Sequence, residues 1–407
     1  MLQRLTIVGL IFAGASRVAA QQQVTLPPPK PGTLANLTRV MVPETRNVAF
    51  GEAQSMLAFC HDLKYPAGHV SLVKLDAKGS PAPYAISWKI PHTPALVKHP
   101  NFAISAAFHP KLPLLYVWQD LNIPYTNPPP TTPAELMTFD HLHIYSLAKE
   151  PPELIASLCR GPQYQFGFTG GQVLVDAAAE HLYVPNLREL KNPGVLIFGR
   201  FKLDADGLPF IDDAQAKQPA PVRAKALSAA NPAPQQSCPL DYVYVFPMNQ
   251  WGAGHSFIPL GKDAILSSSY YGAMTWRPND KTFQLYGLPL RTRGNHLLCA
   301  HPTLPAVFGT AADTDSFNRF EQSDGYVTGL PRQYMLEKHR FTSVPAILPK
   351  QKLLAIGGQH HVYVFNLDDQ GHPSLDATKV HVFNPDVRSL VYSEKFDRLY
   401  VGVELSK

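Results

Sequence analysis

Cysteine is scarce in this chain. Its 407 residues hold four, Cys60, Cys159, Cys238 and Cys299, and no two form a Cys-x-x-Cys pair. That excludes a thiolate zinc site and a thioredoxin-like redox centre. Charge is scarce as well, at 16% of residues, and the net +5 is dispersed. Without a basic stripe, an RNP motif, zinc-finger spacing or a basic helix, nothing marks nucleic acid as a partner. Catalytic signatures are missing too: the chain has no Gly-x-Ser-x-Gly, His-Glu-x-x-His, P-loop or Gly-x-Gly-x-x-Gly. The Asp204-Ala205-Asp206-Gly207 run opens like a calcium loop but lacks the later glutamate, and it aligns with plain turns elsewhere.

Long apolar runs are confined to the N-terminus. Residues 1–20 carry Arg4, an apolar run from Leu5 to Ala15, and Val18-Ala19-Ala20 ahead of Gln21. These are the parts of a secretory signal peptide, and the run is too short to span a bilayer. The expectation is an exported chain, secreted or periplasmic, with no membrane span once the leader is removed. Residues 21–42 form a polar, proline-rich arm that holds the glycosylation sequon Asn36-Leu37-Thr38, and residues 43–407 form the main domain. In an oxidising compartment the four cysteines allow three pairings. Cys60 and Cys299 fall inside strand signals and read as buried free thiols. Cys159 and Cys238, near the ends of strand signals or in loops, are the better candidates for a bridge.

What the chain has in quantity is proline, 40 copies, and short β-branched or aromatic runs. The clearest stretch is LLAIGGQHHVYVFNLDDQGHPSLDATKVHVF, residues 353–383. Its three strand signals are separated by Gly357-Gly358 and by the hairpin chemistry of Asp368-Asp369-Gln370-Gly371. That hairpin recurs as KLDAKGSP at 74–81 and KLDADGLP at 202–209, with a diverged SLAKEPPE at 146–153. A strand–turn–strand segment also recurs, as in ISAAFHPKLPLLYVWQD at 104–120 and VRSLVYSEKFDRLYVGVE at 387–404. Seven copies begin at Arg46, Ile104, Gly171, His255, His296, Ser343 and Arg388. The later intervals of about 41–47 residues match the pitch of one propeller blade, and the longer early ones are that pitch plus insertions.

The fold predicted is therefore all-β: a seven-bladed β-propeller of four-stranded antiparallel blades. The last blade lacks outer strands of its own, so the N-terminus is expected to supply one from about Leu37 to Val42, closing the ring by N- and C-terminal strands. Insertions follow second strands or lie between blades, at 121–139, 187–193, 212–254 and 314–325. In a propeller these connections share one face, which makes that face the place to look for a site.

Each blade's first position falls at the channel mouth on the loop-rich face. His255 and His296 sit on adjacent blades, and so do Arg388 and Arg46 across the closure. With Ser343 between these pairs, the set points to an anionic ligand such as a carboxylate or phosphate. Second-strand ends bring Asp62, Asp120, Tyr271 and Gln359 to the same face. Asp62 and Asp120, with Glu404, suit a hard divalent cation such as calcium, or salt bridges with the arginines. Tyr271 offers a flat surface. No cofactor and no further metal site is identified.

The HPKLPLLYV-like turn followed by the VYVFNLDDQGHP-like hairpin resembles the YVTN and lactonase-like seven-bladed propellers, from Arg46 to the C-terminus. The resemblance implies the fold and a range of functions: sugar lactonases, electron-transfer proteins and exported proteins without known activity. It carries no catalytic residue onto this chain. The function expected is an exported, monomeric binding protein for a small anionic ligand or a protein partner on its loop-rich face. The alternative is a lactonase-type hydrolase acting on a sugar-derived lactone or ester at the channel mouth.

Overall fold

The three-dimensional structure is a computed structural model. It describes residues 23–42, 45–61, 69–90, 101–121, 141–159, 164–166, 173–189, 192–210, 242–247, 256–260, 264–269, 272–277, 282–287, 297–310, 315–323, 326–382, 387 and 389–404. Seven sheets follow one another along the chain. Their inner strands, such as Thr45–Gly51, Asn101–Phe108, Ser256–Leu260 and Leu390–Ser393, contain the expected start positions or begin just after them. The protein is a β-propeller of seven blades.

The sixth blade shows the unit without interruption. Ala346–Leu348, Leu353–Gly358, His361–Leu367 and Pro373–His381 pair in sequence order, each antiparallel to the next. The middle strands are buried on both faces, because neighbouring blades cover each side. That is why they read as continuous apolar runs rather than as alternating ones. Between the fifth and sixth blades the core is aromatic: Phe308, Phe317, Tyr334, Phe341, Tyr363 and Phe365 are all buried. The rings of Phe317 and Tyr334 stack with centroids 5.0 Å apart.

The hairpins with the repeated Leu-Asp-x-x-Gly signature share one construction. In each, Asp76, Asp204 or Asp368 accepts backbone N–H bonds from residues two and four positions ahead, at 2.7–2.9 Å. The glycine that follows has φ of 76°, 75° and 73° at Gly79, Gly207 and Gly371, where a side chain would be strained. Asp204 is thus a turn residue like its two counterparts. His109 and His301 do a similar service in the His-Pro turns. Each Nδ1 accepts two backbone N–H bonds, from Lys111 and Leu112 in one turn and from Thr303 and Leu304 in the other.

Ring closure follows the expected route and adds to it. Strand β3 (Leu37–Val42) runs parallel to Arg398–Glu404 and is the third strand of the last blade. The arm before it is also built into the sheets. Strand β1 (Gln23–Thr25) pairs parallel with the outer strand of the fifth blade, and β2 (Lys30–Gly32) with that of the sixth. Leu26 is buried among the aromatics of those two blades, and Leu34 packs against the core between the sixth and seventh. The sequence marks these residues only as extended and proline-rich. What recruits them is the unpaired edge of each outer strand, which the arm covers in passing.

The third blade departs from the expectation. Both its inner and outer strands come in two pieces. Tyr164–Phe166 and Leu174–Val175 both pair with His181–Glu189, while Pro209–Phe210 and Tyr242–Pro247 both pair with Asn192–Leu203. The sequence reading places 212–254 wholly between blades, yet Tyr242–Pro247 completes the outer strand. Its run Tyr-Val-Tyr-Val-Phe is a strand signal, lost there among flanking prolines and alanines. The long insertion therefore interrupts an outer strand.

Candidate functional site

The inner strands enclose a cavity of about 450 Å³ in the central channel, lined by residues of the first, fourth, fifth, sixth and seventh blades. Asn47, Ile258, Cys299 and Ser389 line its wall, with Glu52 and Tyr392 among the residues on the short-hairpin side. Its lining mixes apolar walls with a few polar groups, the usual character of a small-molecule site, and its size lies in the usual range of about 300–1,000 Å³. Glu52 is tied down on the hairpin side: its carboxylate accepts the backbone N–H of Glu394 at 3.1 Å, and Lys395 Nζ reaches its carbonyl at 3.2 Å.

Two of the sequence-predicted site residues can be followed to their side chains. Ser343 is fully buried. Its hydroxyl accepts the Gly357 N–H at 2.7 Å and donates to the Val344 carbonyl at 3.0 Å, so both bonds stay within the sixth blade. Its own carbonyl accepts the Thr310 hydroxyl of the fifth blade at 2.8 Å. A parallel bond joins the next pair of blades, from Thr342 to the Val387 carbonyl at 2.9 Å. These hydroxyls join adjacent blades close to the axis. Gln359 lies in the exposed turn between the second and third strands of the sixth blade, and its carbonyl accepts a bond from His361 Nδ1 at 2.6 Å.

Arg46 and Asp120 lie in strands Thr45–Gly51 and Leu114–Leu121, with their side chains outside the described set. Asp62, His255, Tyr271, His296 and Arg388 lie outside the described residues, as do residues 1–20, which the sequence reads as a leader, and Cys238. Asn47 and Ser389, the immediate neighbours of Arg46 and Arg388, both line the cavity. Among the described residues no group of three or more His, Cys, Asp or Glu converges as a metal site. None of their helices is long and apolar enough to cross a membrane. Cys60 and Cys299 are free thiols, and burial pushes Cys60 up to about 12, which makes it inert as a nucleophile at neutral pH.

Sequence reasoning missed a polar group on the loop-rich rim of the sixth blade. His361 opens its third strand and His381 ends its fourth, and the two are direct cross-strand partners. His339 lies nearby, with Nδ1 2.9 Å from the Tyr363 hydroxyl. The signal was present as His360-His361 after a glycine pair, but only the sheet register brings His381 beside it.

No protein-family model matches this chain, and no curated protein matches it in sequence. Solved structures do match in shape. The WD40 repeats of RRP9 align over 93% of this chain and 92% of theirs, with TM-score 0.54 and 10% identity. The structure of U3-55K aligns over 89% of this chain and 88% of its own, with TM-score 0.52 and 10% identity. A chain of the mitotic checkpoint complex aligns over 99% and 96%, with TM-score 0.51 and 8% identity. All three are likenesses of fold, and at such identity they carry nothing about chemistry.

Proposed function

We propose that this chain is an exported binding protein that takes a small anionic ligand at the loop-rich end of its central channel. The observation that carries the reading is the channel cavity of about 450 Å³, whose wall includes Asn47 and Ser389, each next in sequence to an arginine. Arg46 and Arg388 are assigned to the same rim on adjacent blades, where two guanidiniums would clamp a carboxylate or phosphate. The distribution of connections agrees in part: the expected insertions at 187–193 and 314–325 are instead taken up by strands His181–Glu189, Asn192–Leu203 and Ser316–Ser323, because these polar runs pair within their sheets. Gly51 to Met56 and Ala300 to Ala306 are short hairpin turns, whereas Leu121 to His141 and Gly287 to Leu297 are long connections on the opposite face. The leader-like residues 1–20 support export, and the repeat grammar resembles that of the YVTN and lactonase-like propellers.

The test is the double substitution Arg46→Ala with Arg388→Ala, screened by thermal shift and calorimetry against sugar acids, lactones and inorganic phosphate. Loss of at least tenfold in affinity for every anion the parent binds is expected. Undiminished affinity in the folded variant would overturn the reading. Hydrolysis of any lactone in the panel, followed by acid release, would shift the assignment to the enzyme class.

A further inference from the structure

On the loop-rich rim of the sixth blade, Nδ1 of His381 stands 3.3 Å from Nε2 of His361. The ring centroids are 5.0 Å apart and the planes are inclined by 62°. An in-line hydrogen bond of that length between two imidazoles would hold their centres about 5.6 Å apart. Two imidazoles bound tetrahedrally to one zinc, each nitrogen about 2.05 Å from the metal, would have nitrogens about 3.3 Å and centres about 5.2 Å apart. The observed separations, 3.3 Å and 5.0 Å, lie closer to the second arrangement than to an in-line bond.

The tautomer of His361 fits as well. Its Nδ1 donates to the Gln359 carbonyl at 2.6 Å, which leaves Nε2 with the lone pair directed at His381. A ligating histidine whose other nitrogen is held by a carbonyl is the usual second layer of a metal site, fixing the ring and raising its basicity. His360, with φ of 56°, makes the turn that carries Gln359 into place, and its carbonyl accepts the Val382 N–H at 2.7 Å. Those two bonds pin the ends of both histidine-bearing strands.

We propose that His361 and His381 form a two-imidazole site for a borderline divalent transition metal such as zinc, with its remaining coordination positions open to water or an incoming ligand. Imidazole nitrogen selects zinc, copper or nickel over calcium, which demands oxygen. The proposal does not rest on the anion reading of the channel.

Facing the pair are Lys379, His360 and, through Tyr363, His339. Lys379 opposes a cation electrostatically, and its neutralisation is expected to tighten binding.

The experiment titrates the whole protein with zinc chloride by calorimetry at pH 7.5, and with cobalt(II) by visible absorption. One ion per chain is expected, with the intense cobalt bands of tetrahedral coordination. His361→Gln and His381→Gln should each weaken binding at least tenfold, Lys379→Gln should strengthen it, and His372→Gln on the opposite face should leave it unchanged. Unaltered circular dichroism certifies that the variants are folded. Absence of binding up to millimolar zinc overturns the proposal, and so does wild-type affinity in both histidine variants.

Discussion

The third and sixth blades carry the same hairpin and differ in almost everything else. KLDADGLP and NLDDQGHP fold into turns with matching Asp bonds and left-handed glycines. In the sixth blade the strands leading to that turn are continuous, whereas in the third the inner and outer strands are each split. A blade therefore tolerates interruption of its edge strands as long as the hairpin between its third and outer strands stays docked on the blade before it.

The docking is specific. The hydroxyl of Tyr116 in the second blade donates to the Gly207 carbonyl at 2.6 Å, and that of Tyr400 in the last blade to Gly79 at 2.8 Å. The second of these bonds crosses the ring closure. In the fifth blade the equivalent residue is Phe308, which has no hydroxyl. Its cross-strand partner Arg319 replaces it, donating to the Gly371 and Gln370 carbonyls at 2.9 and 2.8 Å. The glycines are needed here for space as well as for φ: a Cβ at Gly207 would lie 2.6 Å from Leu114 Cδ1, and one at Gly79 2.6 Å from the Phe396 ring.

The comparison breaks most clearly in the core. Phe365 and Phe201 hold the same place three residues before the turn aspartate, at 0% and 7% exposure. Phe365→Ala is expected to cost about 3–5 kcal/mol. Phe201→Ala should fall at or below the lower end, because the split outer strand lets its surroundings collapse. Urea midpoints of the two variants decide this.

Arg319→Ala comes next. It leaves two carbonyls of the sixth-blade turn without their donor, for a loss of about 2–3 kcal/mol by the same measurement. Gly371→Ala, whose one contact under 3.0 Å is with Ala306 Cβ at 2.9 Å, should lose about 1–2 kcal/mol to the left-handed backbone. Gly79→Ala, with three contacts at 2.6–2.7 Å, should lose more. Tyr116→Phe and Tyr400→Phe should each lose about 1 kcal/mol, the value of one neutral hydrogen bond.

The smallest effect is on pH dependence. Burial holds His109 and His301 below the usual histidine range, with Lys111 adding to it at His109. The unfolded chain takes up protons first as pH falls below about 6.5, so stability is level above that value and declines beneath it. His109→Asn keeps an acceptor for the turn and removes the titration. Its stability curve between pH 7.5 and 5 should be flatter than the parent's.

Strand content, the hairpin turns, the seven-fold repeat and the strand at Leu37–Val42 were all legible in the sequence, because each rests on local chemistry: apolar runs, Asp-x-x-Gly turns and repeat spacing. Tyr242–Pro247 was legible too, though masked by its surroundings. The site was legible only as positions. Spacing puts Arg46 and Arg388 on neighbouring blades, but whether a side chain faces the channel or a neighbour depends on packing, as Ser343 illustrates by spending its hydroxyl inside its own blade.

The sequence by itself determined which residues become strands and how many blades they make, since turn chemistry and burial pattern act over a few residues. Tertiary structure alone decided that the arm runs along three blades, that Arg319 replaces a tyrosine, and that His361 meets His381. Those contacts join residues far apart in the chain, and only the register of closed, packed sheets brings them within bonding distance.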